Sequence, residues 1–189
     1  MQFNNHSSAY GWIAILIHWS MAIAIIGLAI LGLWMVDLGY YSPWYQVAPF
    51  WHKSIGLLLI PLLLFRLYWR CRQPVPQPPK SHSDLERRLA HLTHRALYAL
   101  LAVILTSGYL ISTAKGEGIS LFGWFEIPAL ISGLEQQADL AGQFHYWSAI
   151  SVLTLTALHA LGALKHHVYD RDTTLVRMLN PTISTHEDQ

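Results

Sequence analysis

Charged side chains are scarce in this chain, and their scarcity argues against a soluble fold. Asp, Glu, Lys and Arg make up 12% of the 189 residues and hydrophobic residues 53%, whereas a soluble domain carries about 25% charged residues. The net charge of +1 provides no strong basic face for nucleic acid. The single cysteine, Cys71, excludes an internal disulfide, and no CxxC motif indicates a zinc or iron–sulfur site.

Four segments are apolar and long enough to cross a bilayer, whose core of about 30 Å needs roughly 20 helical residues. The uncharged first run is longer than the apolar part of a signal peptide, which spans about 7–15 residues. In the second, Lys53 and Arg66 can extend to the headgroups. A polar tail is predicted at 170–189. The pattern predicts an all-α integral membrane protein, one domain over 1–189 with four transmembrane helices. The predicted spans are 13–36, 50–69, 93–114 and 142–166.

The charges between the spans predict the orientation. Of the 12 Lys and Arg residues, all except Lys53 and Lys115 lie around the second-to-third connection or after the fourth span. Because the positive side of a membrane protein is cytoplasmic, both termini are predicted in the cytoplasm. The connection at 115–139 is interpreted as partly interfacial. The predicted outer side carries five acidic residues: Asp37, Glu117, Glu126, Glu135 and Asp139.

Histidine is unusually common, with eleven residues, and four histidines lie at matching depths in the spans. His145 and His159 are 14 positions apart on the fourth span, which places them about 21 Å apart along the axis and within roughly 40° of one face. His18 begins the first span at the inner side, and His52 begins the second at the outer side. The topology therefore predicts His18 opposite His159 and His52 opposite His145.

Two histidines on facing helices can hold one haem iron between them. The four histidines thus predict two b-type haems at two depths, and filled axial positions favour electron transfer over oxygen binding. Arg66 lies 14 positions after His52, at the inner level, and is a candidate partner for haem propionates. Lys53 is a similar candidate at the outer level, although interface anchoring explains either residue. His94 is a candidate for propionate or quinone contact.

Other interpretations of the histidines fit the pattern less well. A lone membrane histidine can simply hydrogen-bond a neighbouring helix, but two level-matched pairs are harder to explain in that way. His166 and His167 are interpreted as facing headgroups at the membrane exit, and His82 lies in a polar flank without a pattern. The spans contain no acidic residue, which disfavours a catalytic zinc site and a haem-free, proton-coupled transporter.

Six motifs together resemble the bacterial cytochrome b561 family over nearly the whole chain, from about Tyr10 to Met178. The resemblance implies a four-helix protein of the bacterial inner membrane with two b haems. It also implies that the same four histidines are the axial haem ligands and that the protein exchanges electrons with ubiquinone. The motifs are IHW at 17–19, WHKSIG at 51–56, HLTHRALY at 91–98, SGYLIST at 107–113, FHYW at 144–147 and LHALGALKHH at 158–167.

The prediction is therefore a dihaem electron carrier that exchanges electrons with the quinone pool, and whether it is also an enzyme stays open. One branch of the resembled family is reported to oxidise superoxide. Superoxide is an anion, and the predicted outer side is acidic and would repel it, which disfavours this activity for the chain. A haem-bearing anchor subunit for a periplasmic or membrane redox protein is a further alternative. Quinone contacts are open among His94, Tyr98 and the LFGWFEIP stretch at 121–128.

Overall fold

The computed structural model describes residues 2–79 and 81–181, so Lys80 and the last part of the predicted tail, 182–189, lie outside the described residues. Each of the four long helices is as long as its predicted span or longer. A short 3₁₀ helix, Val176–Met178, lies within the described part of the tail. The long helices are α1 Trp12–Met35, α2 Val47–Arg72, α3 Asp84–Thr113 and α4 Gln137–Val168.

The start of α3 lies nine residues before the predicted third span because Ser83 and Glu86 form a capping box. The Ser83 amide donates to Glu86 Oε2 at 2.8 Å, and the Glu86 amide donates to Ser83 Oγ at 3.3 Å. Each side chain thus satisfies a backbone donor that a helix start leaves unpaired. The extra turns continue α3 beyond its apolar stretch.

Among the described residues, four helices have the length and composition to cross a membrane. Their outer surfaces are apolar: large side chains such as Leu16, Ile23 and Ile30 on α1 are exposed. In water such surfaces are costly, whereas lipid tails are as apolar as these side chains. The distribution of apolar residues supports the predicted membrane protein.

The chain divides into two compact units, and each unit contains part of every long helix. The described residues of the first unit are 2–21, 62–79, 81–97 and 154–181. The second unit is formed by Ala22–Pro61 and Tyr98–Leu153.

In the first unit, the N-terminal segment caps α1 and binds the proline-rich stretch. The Asn5 side chain accepts a hydrogen bond from the Gly11 amide at 2.9 Å and donates to the Pro74 carbonyl at 3.1 Å. A Cβ atom at Gly11 would clash with the Phe3 carbonyl, so this close approach requires glycine. Arg177 donates to the Gln77 carbonyl at 2.7 Å.

In the second unit, a β-hairpin departs from the predicted all-α class. Strands β1 Ile119–Leu121 and β2 Phe125–Ile127 pair antiparallel, and the turn places Phe122 and Gly123 at positive φ. The fully buried Ser54 of α2 accepts a hydrogen bond from the Phe122 amide at 3.1 Å and donates to the Ser120 carbonyl at 3.3 Å. The mixed 115–139 stretch therefore folds against α2.

We expect Asn5→Ala to destabilise the protein by about 1–3 kcal/mol, because it leaves the buried Gly11 amide without its hydrogen-bond acceptor. Asn4→Ala is the matched control, since Asn4 is exposed and its loss should change the midpoint little. Thermal unfolding in detergent, followed by circular dichroism, measures both. Equal midpoints for the two variants would contradict the assigned role of Asn5.

Candidate functional site

In the second unit, the rings of His52 on α2 and His145 on α4 face each other. Their centroids are 6.0 Å apart and their planes are inclined by 67°. This is the pair that the topology predicts at the outer level. A cavity of about 330 Å³ adjoins the pair, and its lining is almost entirely apolar. Such a volume lies within the range of small-molecule and cofactor sites.

In the first unit, His18 on α1 and His159 on α4 form the second pair. Their ring centroids are 6.3 Å apart and their planes are inclined by 69°. A metal bonded to one nitrogen of each ring at about 2 Å would hold two ring centroids about 6 Å apart. Both observed separations match this spacing, and the four residues therefore fit an iron held between two imidazoles.

Glycine leaves room beside both rings of the second unit. A Cβ atom at Gly32 would lie 3.1 Å from His52 Cε1, and one at Gly108 would lie 3.0 Å from His145 Cε1. Side chains at these two positions would press on the imidazoles and shift them. Gly56 lines the cavity, and a Cβ at Gly56 or at Gly162 would meet nothing within 4 Å.

The backbone of α3 orients the ring of His145. Nδ1 of His145 lies 2.9 Å from the Ile104 carbonyl and 3.3 Å from Ser107 Oγ. A carbonyl only accepts, so Nδ1 carries the proton and Nε2 presents its lone pair, as metal-ligating histidines require. Nδ1 of His52 is buried without a regular hydrogen bond, and the Leu28 carbonyl is its candidate acceptor.

In the first unit, the side chains of Arg66 and His94 lie beside the His18–His159 pair. Arg66 Nη2 lies 3.0 Å from His18 Nδ1, and because a guanidinium can only donate, this nitrogen is the acceptor. The ring of a third histidine, His94, lies 5.3 Å from that of His159 at an inclination of 64°. Arg66 and His94 thus lie beside the pair, as the sequence predicts, although Arg66 contacts a histidine.

Lys53 lies at the edge of the second unit's pair, where it lines the cavity and its side chain is exposed. Sequence reasoning missed Gly108, Ser107 and the Ile104 carbonyl, which all contact His145. Ser107 and Gly108 begin the SGYLIST motif. Glycine and serine are common in membrane helices, however, and no periodicity in the sequence marks these two residues as contacts of His145. The carbonyl leaves no signal in the sequence.

Two pairs of facing imidazoles, each joining two apolar helices, define a helical membrane protein of the kind that binds haem between its helices. The chain belongs to a family of this class: residues 9–181 match the model for prokaryotic cytochrome b561. Membership in that family implies b-type haem and electron transfer.

Three relatives illustrate the family. The chain is 50% identical to cytochrome b561 homolog 2 of Escherichia coli (strain K12), covering 97% of this chain and 98% of the relative. It is 29% identical to the probable superoxide oxidase CybB of Yersinia pestis, over 90% of this chain and 95% of the relative. It is 27% identical to cytochrome b561 homolog 1 of E. coli K12, covering 68% and 72% of the two chains.

We expect Gly108→Val to lower the haem bound per chain, because the new side chain would occupy the space of the His145 ring. Gly162→Val on α4 is the control and should retain the wild-type content, since its position is open. Pyridine haemochrome analysis of the purified, folded variants measures the difference. Unchanged haem in Gly108→Val would show that this glycine is not needed beside the site.

Proposed function

We propose that the protein is a dihaem b-type cytochrome that carries electrons within the membrane and exchanges them with ubiquinol and ubiquinone. His18 and His159 are the axial ligands of one haem, and His52 and His145 those of the other. The observation that carries the proposal is the ring separation of 6.3 Å in one pair and 6.0 Å in the other. Each separation leaves space for one iron with two imidazole ligands.

Two axial imidazoles make electron transfer the best-supported chemistry. When bound, a b-type haem supplies a one-electron couple whose potential depends on its axial ligands and on nearby hydrogen bonds. If both imidazoles of a pair held the iron, they would leave no position open for oxygen. The protein's contribution is to fix the imidazoles, and the hydrogen bond of His145 to the Ile104 carbonyl does this on one side.

Arg66, Lys53 and His94 are proposed to hold the haem propionates, with His94 also a candidate for quinone contact. A histidine that binds a metal through Nε2 normally carries its one ring proton on Nδ1, but His18 Nδ1 accepts a hydrogen bond from Arg66. Ligation through His18 Nε2 therefore requires Arg66 to turn away from Nδ1. The released guanidinium is then available to a carboxylate, its preferred partner.

The positive charges favour a bacterial inner-membrane location with both termini in the cytoplasm. The described basic residues on the predicted inner side belong to the C-terminal part of α2, the N-terminal part of α3, the last turn of α4 and the segment that follows α4. Arg70 and Arg72, for example, lie in the last turn of α2, and Lys165 lies in the last turn of α4. Cytoplasmic segments carry such an excess of Lys and Arg.

The haem ligands are tested by removing one histidine from each pair. We expect His145→Ala and His159→Ala each to bind one haem per chain where the wild type binds two. His6→Ala is the control, because His6 is exposed in the N-terminal segment. Haem quantified per folded chain gives the answer. Two haems retained in both variants would mean that the ligand assignment is wrong.

A superoxide:ubiquinone oxidoreductase is a second candidate, favoured by the relative that is named a probable superoxide oxidase. Against it, Glu117 and Glu126 are exposed in the connection that carries the hairpin, and negative charge repels an anionic substrate. A haem-bearing anchor subunit of a redox complex is a third candidate, which a co-purifying redox protein would favour.

Stopped-flow spectroscopy separates the first two functions. We expect a short-chain ubiquinol to reduce the haems of the oxidised protein under anaerobic conditions. We expect superoxide, mixed with the protein and ubiquinone, to decay no faster than with haem-free protein. Rapid, protein-dependent superoxide loss with quinol formation would favour the enzyme instead, and failure of ubiquinol to reduce the haems would contradict quinone exchange.

A further inference from the structure

A compact polar cluster that includes none of the haem-site histidines joins two segments of the first unit that are distant in sequence. His82 precedes α3, His166 lies in the last turn of α4, and Asp172 follows that helix. His82 Nε2 and His166 Nδ1 lie 3.0 Å and 3.1 Å from the same Asp172 oxygen, Oδ2. The sequence interpretation of His166 as facing headgroups is wrong, because its side chain turns into this cluster.

The three side chains are largely shielded from solvent, with exposed fractions of 10% for His82, 13% for His166 and 7% for Asp172. Their three ligand atoms lie within 4.8 Å of one another. A tetrahedral zinc with bonds of about 2.0–2.1 Å places its ligand atoms roughly 3.3 Å apart. The two nitrogen-to-oxygen distances are therefore close to the edges of such a tetrahedron.

Hydrogen bonds account for His82, whose Nε2 lies 3.0 Å from Asp172 Oδ2 and 3.1 Å from Thr174 Oγ1, but they do not account for His166. Nδ1 of His166 is buried and lies 2.7 Å from Asp170 Oδ2 and 3.1 Å from Asp172 Oδ2, yet it makes no regular hydrogen bond. The two rings stack with centroids only 4.1 Å apart, and Ser81 Oγ also donates to Asp172 Oδ2. One oxygen thus attracts three polar groups, whereas a cation among them would satisfy both imidazoles.

The surrounding charge favours a cation. The carboxylates of Asp170 and Glu86 lie beside that of Asp172. Lys165 Nζ lies 2.7 Å from Asp170 Oδ2 and 2.6 Å from Glu86 Oε1. Three carboxylates against one ammonium leave an excess of negative charge.

We propose that His82, His166 and Asp172 bind a divalent transition-metal ion of the Zn²⁺ class. Two imidazoles and one carboxylate are ligands that suit Zn²⁺ and neighbouring metals rather than Mg²⁺ or Ca²⁺. Water takes the fourth position. A second possible set, formed by Glu86, His166 and Asp170, shares His166, but Lys165 already engages both of its carboxylates.

The bound metal cross-links the segment before α3 to the end of α4. His82 and His166 are 84 positions apart, so a metal bridging them closes a long loop of chain. A ligand that binds the folded state alone stabilises it in proportion to the logarithm of its concentration over Kd. We therefore expect Zn²⁺ to raise the thermal midpoint of the protein and a chelator to lower it.

The test uses the full-length, haem-loaded protein, purified without a histidine tag so that neither the tag nor vacant haem ligands bind metal. After chelator treatment, Zn²⁺ is titrated against a competing chelator, and bound zinc is counted by mass spectrometry. We expect one Zn²⁺ per chain, with no displacement by excess Mg²⁺. Absence of stoichiometric Zn²⁺ from the folded wild type, or equal competition by Mg²⁺, overturns the proposal whatever the variants do.

Variants assign the ligands. We expect His82→Gln and Asp172→Asn each to weaken Zn²⁺ binding by at least about tenfold, the cost seen even for losing a contact that merely supports a metal ligand. His167→Gln is the matched control, because His167 neighbours His166 but is exposed. An unchanged haem spectrum establishes that each variant is folded. Wild-type affinity in both ligand variants contradicts the assignment.

Zinc-edge X-ray absorption gives a readout that a purely structural role would not change. We expect the wild type to show two imidazoles and one or two oxygens at about 2.0–2.1 Å from the metal, and His82→Gln at saturating Zn²⁺ to show one imidazole. A spectrum with oxygen ligands alone would mean that only the surface carboxylates bind zinc. The haem-count experiments on His145 and His159 are independent of this result.

Discussion

An imidazole on a membrane helix needs a partner, because hydrocarbon offers none for its polar nitrogens. The arrangement of both units follows from this constraint. His52 faces His145 and His18 faces His159, each at a separation that suits a shared metal. Around His145, α3 supplies a carbonyl acceptor at Ile104 and a glycine at 108 that leaves space for the ring. The helices thus serve as supports for paired histidines.

Periodicity and charge carry much of this information in the sequence. The spacing of His145 and His159, with the alternating direction of the spans, predicts which rings meet, because helix geometry is regular over such distances. The SDLE sequence at 83–86 is a readable capping box and accounts for the early start of α3. Apolar length alone locates the membrane-crossing part of a helix rather than the helix itself.

Other features depend on contacts that one sequence does not reveal. The hairpin strands Ile119–Leu121 and Phe125–Ile127 are three residues each, too short for a periodic signal, and they depend on Ser54 of α2. His82 and Asp172 come together with His166 only because the start of α3 lies near the end of α4 in the first unit. Their separation in sequence hides the cluster, and the hydrogen bond of Arg66 to His18 is hidden for the same reason.

The central claim is that each histidine pair holds one b-type haem. The most direct measurement is a reduced-minus-oxidised visible spectrum of the wild-type protein in detergent, with haem counted per chain by pyridine haemochrome. The account predicts two b-type haems per chain, both with the spectrum of bis-histidine ligation. A folded preparation that binds no haem, or only one, after reconstitution with excess haem would contradict it.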